Sequence, residues 1–257
     1  MTDQIRELLS RRNAVLHSWA QPERHRGNVA RMISKNYEVY DQFRPHLSKA
    51  RDLGGLEAES EQQQSIWHAL VSGGLAMEMA PNRYAPVPGE KAINFLTGGW
   101  LEDLAYEAIL EAGADAALAR AILDWKVEGY SGQNEVDVLA RSGERLIFFS
   151  CKCANACLAE DHARARLLLK DKLMGFMHEA DNLADHFGVQ GDAVVLMVTT
   201  DLIDEGNQNR ARLPTLFGKA KALDVELITL DHLGWRPLVK RLKELLIGPA
   251  GNSAPDR

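Results

Sequence analysis

The chain has 257 residues, 46% of them hydrophobic and 26% charged, which supplies a substantial core and excludes disordered, collagen-like and coiled-coil classes. Its net charge of −6 argues against a protein coated in nucleic acid, while leaving room for a local basic groove. The longest apolar runs, Ala193–Val198 and Leu146–Phe149, fall far short of the roughly 18 residues a membrane span needs, and the three cysteines all lie within Cys151–Cys157, which suits a reducing compartment. The expectation is a cytoplasmic protein with no membrane partner.

Charge is unevenly spread: residues 1–51 carry +5 and residues 52–115 carry −9. From Asp3 to about Ala50 apolar residues recur at three- and four-residue intervals (Ile5, Leu8, Leu9; Val29, Met32, Ile33, Tyr37, Tyr40), which predicts helices broken at Gln21-Pro22. Arg24, Arg26, Arg31, Lys35 and Arg44 fall largely on the polar side and form either a solvated face or a surface for nucleic acid or an acidic partner. Residues 51–64 read as a linker, Ile66 to about Met79 as a short helix, and Pro81, Pro86, Pro88 and Gly89 as an irregular stretch. Residues 1–90 are therefore expected to be a helical N-terminal region, 91–250 a second domain, and 251–257 a disordered tail.

From Gly98 the pattern changes. Gly98-Gly99 precede a predicted helix WLEDLAYEAILEAG that stops at Gly113. Three strands are predicted next, Ala121–Val127, Asn134–Ala140 and Arg145–Cys151, the last two joined through Ser142-Gly143. A helix from about Glu160 to His186, a strand at 193–199, a helix at 209–223, a strand at 225–230 and a closing helix to Ile247 complete an α-β-β-β-α-β-α-β-α order. The predicted fold class is α/β, a mixed sheet flanked by helices.

The segment NEVDVLARSGERLIFFSCKC carries the chemistry. If Ser142-Gly143 is a two-residue turn, Glu135 lies opposite Ser150 and Asp137 opposite Phe148, which puts Glu135, Asp137, Ser150 and Lys152 on one sheet face. An aspartate and a lysine on otherwise apolar strands pair with each other, bind something, or sit at the sheet's open end. Glu102, at the border of its helix's apolar stripe, can point toward Asp137.

A helix glutamate, a strand aspartate and an apolar strand ending in Lys152, in this element order, resemble the PD-(D/E)xK nuclease superfamily, whose fold is restriction-endonuclease-like with an αβββαβ core. More narrowly, NFLTGGWLEDLAYEAIL, NEVDVL and IFFSCK look like the nuclease domain of the CARF-linked effectors of type III CRISPR systems, which cyclic oligoadenylates activate. The resemblance covers roughly residues 92 to 233. It implies a nuclease acting on DNA or RNA in CRISPR-associated or other antiviral defence, with Mg²⁺ or Mn²⁺ on Asp137, Glu102 and a backbone carbonyl near Cys151. Lys152 would orient the attacking water or neutralise the transition state.

Where the superfamily has an acid two residues before the lysine, this chain has Ser150. Some members of the same group also read Ser-Cys-Lys there. The missing carboxylate comes from Glu135, from Glu179, or from Glu160 or Asp161; otherwise the fold serves as a silent subunit that binds nucleic acid or a protein partner. Cys151, Cys153, Cys157 and His162 make a weak zinc pattern. The stretch between Lys152 and Gly175, basic through Arg164, Arg166, Lys170 and Lys172, reads as a substrate-gating loop or a solvated helix, and Trp100 as a core aromatic or a base beneath a nucleotide. The roughly 90 residues before the nuclease-like part are too short and too helical for the sensor domain of those effectors, so control is expected from a partner subunit, from homo-oligomerisation or from the basic helices.

Overall fold

A computed structural model describes residues 2–23, 26–156 and 163–247. The elements, in chain order, are α1 (Thr2–Ser10), β1 (Ala14–Ala20), α2 (Arg26–Lys35), α3 (Tyr37–Phe43), β2 (Leu56–Glu57), α4 (Glu61–Ser72), β3 (Ala76–Ala80), β4 (Arg83–Pro86), α5 (Glu90–Asn94) and α6 (Trp100–Ala112). There follow β5 (Ala116–Val127), β6 (Tyr130–Ser142), β7 (Arg145–Lys152), α7 (Ala163–Phe187), β8 (Ala193–Val198), β9 (Ile203–Asp204), β10 (Arg210–Ala211), α8 (Pro214–Ala222), β11 (Val225–Ile228) and α9 (Trp235–Ile247).

Six strands form one mixed sheet in the order β1-β5-β6-β7-β8-β11. The pairs from β1 to β7 are antiparallel, and β7–β8 and β8–β11 are parallel. The α6-β5-β6-β7-α7-β8 run is the expected αβββαβ core of a mixed sheet flanked by helices. Alternation along β7 splits the apolar interior in two: Ile147 and Phe149 join the side chains of α2, α3, α4, α6 and α9, and Leu146 and Phe148 join those of α1, α7 and α8.

Three expectations need correction. The N-terminal region is not all helical: Ala14–Ala20 is a strand, paired with β5 at the sheet's edge. The predicted linker and irregular stretch supply β2 and β4 of a three-stranded sheet in the order β2-β4-β3; the helix between them starts earlier, at Glu61, where Ser60 accepts the amide hydrogen of Gln63 at 3.1 Å, and ends at Ser72, the remainder of its expected span being β3. The helix expected at 209–223 begins at Pro214. Both apolar clusters also cross position 90, since Ile33, Tyr40 and Trp67 pack with Leu104 and Phe149 and Ile5 and Leu9 with Phe148 and Met177. The expected tail, 251–257, lies outside the described residues.

The β6–β7 register also differs from the expected one. Ser142 pairs with Arg145 and Val138 with Phe149, so the turn is Gly143-Glu144, with Gly143 at φ +61. The ladder is thereby displaced two residues from the expected pairing. Continued past Val138, it brings Asp137 level with Ser150, and Glu135 lies beyond the end of the β6–β7 pairing.

Candidate active site

The site forms where β6 and β7 stop pairing beside the N-terminal end of α6. Phe95–Gly99 makes a π-helical turn that runs straight into α6, the sort of irregularity that often accompanies a functional helix end. Leu101, Leu104, Ala105, Ala108 and Ile109 are fully buried and fix the rotation of α6, leaving Glu102 at the border of that stripe. The strands are irregular at the same level: Ala119 pairs with Val138 and Ala121 with Val136, while Arg120 between them has φ +50. Leu118 and Ala121, three residues apart, both enter the α7-side core, as do Val136 and Leu139. Inward-outward alternation therefore slips by one residue on both strands at Arg120 and Asp137, which releases these two side chains from the apolar layers.

Glu102 and Asp137 lie near enough here for their charges to act on each other. Burial pushes the Glu102 carboxyl up to about 7; Arg120 pulls it down, and the charges of Asp137, Asp103 and Glu135 push it up further. Asp137 is also raised, first by burial, and is held back by the backbone N–H of Cys151 and by Lys152. That N–H donates to Asp137 Oδ2 at 2.6 Å, a charge-assisted bond that takes the place of a ladder contact. Cys151 thus meets Asp137 through its backbone N–H, where the expected group is a backbone carbonyl. Ser150 is buried on the strand position level with Asp137.

Lys152 closes β7 on the α7 side. Its Nζ lies 3.3 Å from Glu179 Oε2 and 5.8 Å from the centre of the Phe176 ring. Of the carboxylates considered as replacements for the missing acid, Glu179 contacts the lysine, Glu135 lies further out on β6, and Glu160 and Asp161 lie outside the described residues. The strand end is braced from the N-terminal helices: the Tyr37 hydroxyl donates to the Ala154 carbonyl at 2.8 Å, and Asp41 Oδ2 accepts from the Ala156 amide at 2.8 Å.

Arg120 went unnoticed in the sequence. Its Nε lies 2.7 Å from Glu102 Oε2 and its Nη2 donates to Asp103 Oδ1 at 2.7 Å. No periodicity or motif marks it, because its position depends on a backbone inversion inside a strand.

Two of the basic N-terminal residues, Arg26 and Arg31, are engaged within the fold. Arg31 pairs with Glu107 at 2.9 Å and lies 3.4 Å over the Trp235 ring; Arg26 pairs with Glu23 at 3.3 Å and lies 5.3 Å over Phe95. Lys35 lines a cleft of about 500 Å³ with Tyr37, Gln62, Asp201, Arg212 and Asp231, near the C-terminal ends of β8 and β11. Trp100 is fully buried against Tyr37, which settles it as a core aromatic. Arg24, Cys157 and His162 lie outside the described residues, as do the side chains of Arg164 and Arg166, so the gating-loop and zinc expectations fall largely there. Cys151 and Cys153 are free, and burial lifts both thiols, that of Cys153 to about 12.

Among the described residues no three His, Cys, Asp or Glu side chains stand close enough together to enclose a metal ion. The donor set is two carboxylates, of which Glu102 Oε2 is paired with Arg120 Nε at 2.7 Å. Two hard oxygen donors fit Mg²⁺ or Mn²⁺, which are commonly held by one or two carboxylates together with substrate phosphates.

No family model matches the chain, and no curated protein matches it. Among solved structures it is similar to protein VC1899 from Vibrio cholerae, with a TM-score of 0.66 and 16% identity over 95% of this chain and 61% of that one. It is also similar to Can2 from Sulfobacillus thermosulfidooxidans, solved in complex with cyclic tetra-adenylate, with a TM-score of 0.59 and 14% identity over 93% of this chain and 61% of that one. The chain spans about three fifths of these longer proteins, and at such identities the likeness is one of fold. No helix among the described residues is long and apolar enough to cross a membrane.

Proposed function

We propose that the protein is a metal-dependent nuclease that hydrolyses phosphodiester bonds in DNA or RNA as part of antiviral defence of the CRISPR-associated kind. The observation that carries this reading is the proximity of Glu102 and Asp137 where β6 and β7 part, with Lys152 ending β7 on the other side of Asp137. The likeness of the Gly-Gly-Trp-Leu-Glu, Asn-Glu-Val-Asp-Val and Ser-Cys-Lys segments to effector nucleases supports it, as does the fold shared with a protein that binds a cyclic oligonucleotide.

Glu102 and Asp137 would hold Mg²⁺ or Mn²⁺, an ion that polarises a phosphodiester and makes bound water acidic enough to attack it. The Cys151 N–H fixes the Asp137 carboxylate so that its remaining lone pairs face the site. Lys152 supplies a positive charge for the phosphate oxygens as negative charge accumulates on them. Glu179, paired with that ammonium, holds it in place, while Glu135, whose charge acts on both Glu102 and Asp137, is the nearer stand-in for the acid absent at Ser150.

Incubation with plasmid, single-stranded DNA and RNA in Mg²⁺ or Mn²⁺ tests this, with Lys152→Ala alongside. Cleavage by the wild type, lost in Lys152→Ala and in EDTA, is the expected result. Because Lys152 and Glu179 are 29% and 60% exposed, their pair contributes under about 1 kcal/mol, and the variant should melt within about 4 °C of wild type. Equal cleavage by both proteins, or none with either metal, overturns the reading.

A second reading, a silent subunit that binds nucleic acid or a protein partner through the same fold, is favoured by Ser150 and by the two-carboxylate donor set. It predicts no cleavage, together with nucleic-acid binding that survives EDTA and falls steeply with salt.

A further inference from the structure

Arg120 sits in the middle of a twelve-residue strand with φ +50, a conformation that a non-glycine residue holds only when its surroundings impose it. Three features surround the side chain. Asp103, only 2% exposed, accepts from Nη2 at 2.7 Å, and the Gly99 carbonyl accepts from the same nitrogen at 3.3 Å. A Cβ on Gly99 would stand 3.3 Å from Nη2, so glycine leaves the space the guanidinium needs. With Nη2 anchored, Nε lies 2.7 Å from Glu102 Oε2.

We infer that Arg120 is a positioning residue: anchored by buried Asp103, it fixes the Glu102 carboxylate on the Asp137 side, where a divalent cation would be held. The inference rests on the metal-site reading above and deepens it. Carboxylate ligands are commonly held by such outer partners, whose loss weakens metal binding by roughly 10- to 100-fold. Simple charge compensation makes the opposite prediction. A guanidinium at 2.7 Å from the carboxylate repels an incoming cation, so if compensation were its whole role, neutralising it would tighten binding.

The sign of the change therefore decides. Mn²⁺ alone is titrated into the metal-free full chain, with free Mn²⁺ followed by its electron paramagnetic resonance signal and folding checked by circular dichroism. The proteins compared are wild type, Arg120→Gln, Arg120→Lys, Asp103→Asn and the distant Arg241→Gln. Roughly 10- to 100-fold weaker uptake is expected for Arg120→Gln and Asp103→Asn. Arg120→Lys keeps the charge without the planar fork and should fall nearly as far, while Arg241→Gln matches wild type. Unchanged or tighter uptake by folded Arg120→Gln or Asp103→Asn overturns the inference alone. A wild type that takes up no Mn²⁺ overturns the metal site and this inference with it. Should Arg120→Gln fail to fold, Asp103→Asn, isosteric and retaining the arginine, supplies the deciding comparison.

Discussion

Burial lifts the Glu102 carboxyl from 4.5 to about 7, against the pull of Arg120 and with the neighbouring carboxylates adding to the rise. A carboxyl whose pKa rises on folding binds its proton more tightly in the native state. Its contribution to stability is complete below about 4.5 and disappears as pH climbs through 7. In metal-free protein the ionised side chain therefore costs, relative to its protonated form, about 3 kcal/mol of folding stability at about pH 8, the pull of Arg120 included. Glu102→Gln removes the titration. In EDTA its melting temperature should gain on wild type steadily between about pH 5 and pH 8, and adding Mn²⁺ should reverse the order by stabilising the wild type alone. A difference that stays constant with pH would mean that Glu102 is not buried in solution. The positions of Asp137 and Lys152 stood out by residue type, because a carboxylate and a lysine among apolar strand residues are costly without a purpose, and Glu102 by its place at the border of a helix stripe; their roles rest on the resemblance. Arg120 was not, because a side chain freed by an inverted φ leaves no periodic trace.

At the level of elements, the β6–β7 hairpin sets which residue stands level with Ser150. Its turn depends on Gly143 at φ +61, whose amide donates to Asp115 Oδ2 at 2.8 Å. No atom lies within 4 Å of where a Cβ would be, so a substitution there tests backbone conformation by itself. Gly143→Val should cost about 1–2 kcal/mol, and Gly143→Asn, whose side chain tolerates the left-handed region, much less. Equal losses in chemical denaturation would show that the turn does not hold that conformation. The sequence marked a Ser-Gly turn yet placed it one residue early, which moved the pairing by two, and the slip at Asp137 then sent Val136 and Val138 into opposite cores, so that Glu135 does not share the face of Ser150 as expected. Long elements with clean periods, α6, α7, β8 and α9, were legible for the same reason that β1 was not. In Ala14–Ala20 a histidine, a serine and a tryptophan interrupt the apolar alternation, and the flanking three- and four-residue spacings suggested continuous helix. The β3–β4 hairpin was hidden by Pro81 and Pro86, residues that fit a turn and a strand end as well as a loop.

Across the whole molecule, residues 2–20 belong to the main core, with β1 in the sheet and α1 packed on its α7 side. Ile5 and Leu9 are fully buried, and Leu8, Ala14 and Leu16 nearly so, all against the face that α7 covers. Arg12 pairs with Asp192, with both side chains below 10% exposed, and Asp192 in turn accepts from the Leu146 amide at 2.8 Å at the start of β7. Burying each large aliphatic side chain contributes about 1.5–3 kcal/mol, and stranding a buried charge costs about 3–5 kcal/mol. Their combined loss rivals the roughly 5–15 kcal/mol that typically holds a whole domain together. Removing residues 1–20 would also leave β5 as an unpaired edge of twelve residues, open to pairing with other chains. The truncated protein should therefore lose its cooperative thermal transition and aggregate. If Arg12→Ala alone lowers the melting temperature by several degrees, the buried pair accounts for part of that loss. A truncated chain that stays monomeric and melts near the full-length temperature would instead make the N-terminal segment dispensable for folding.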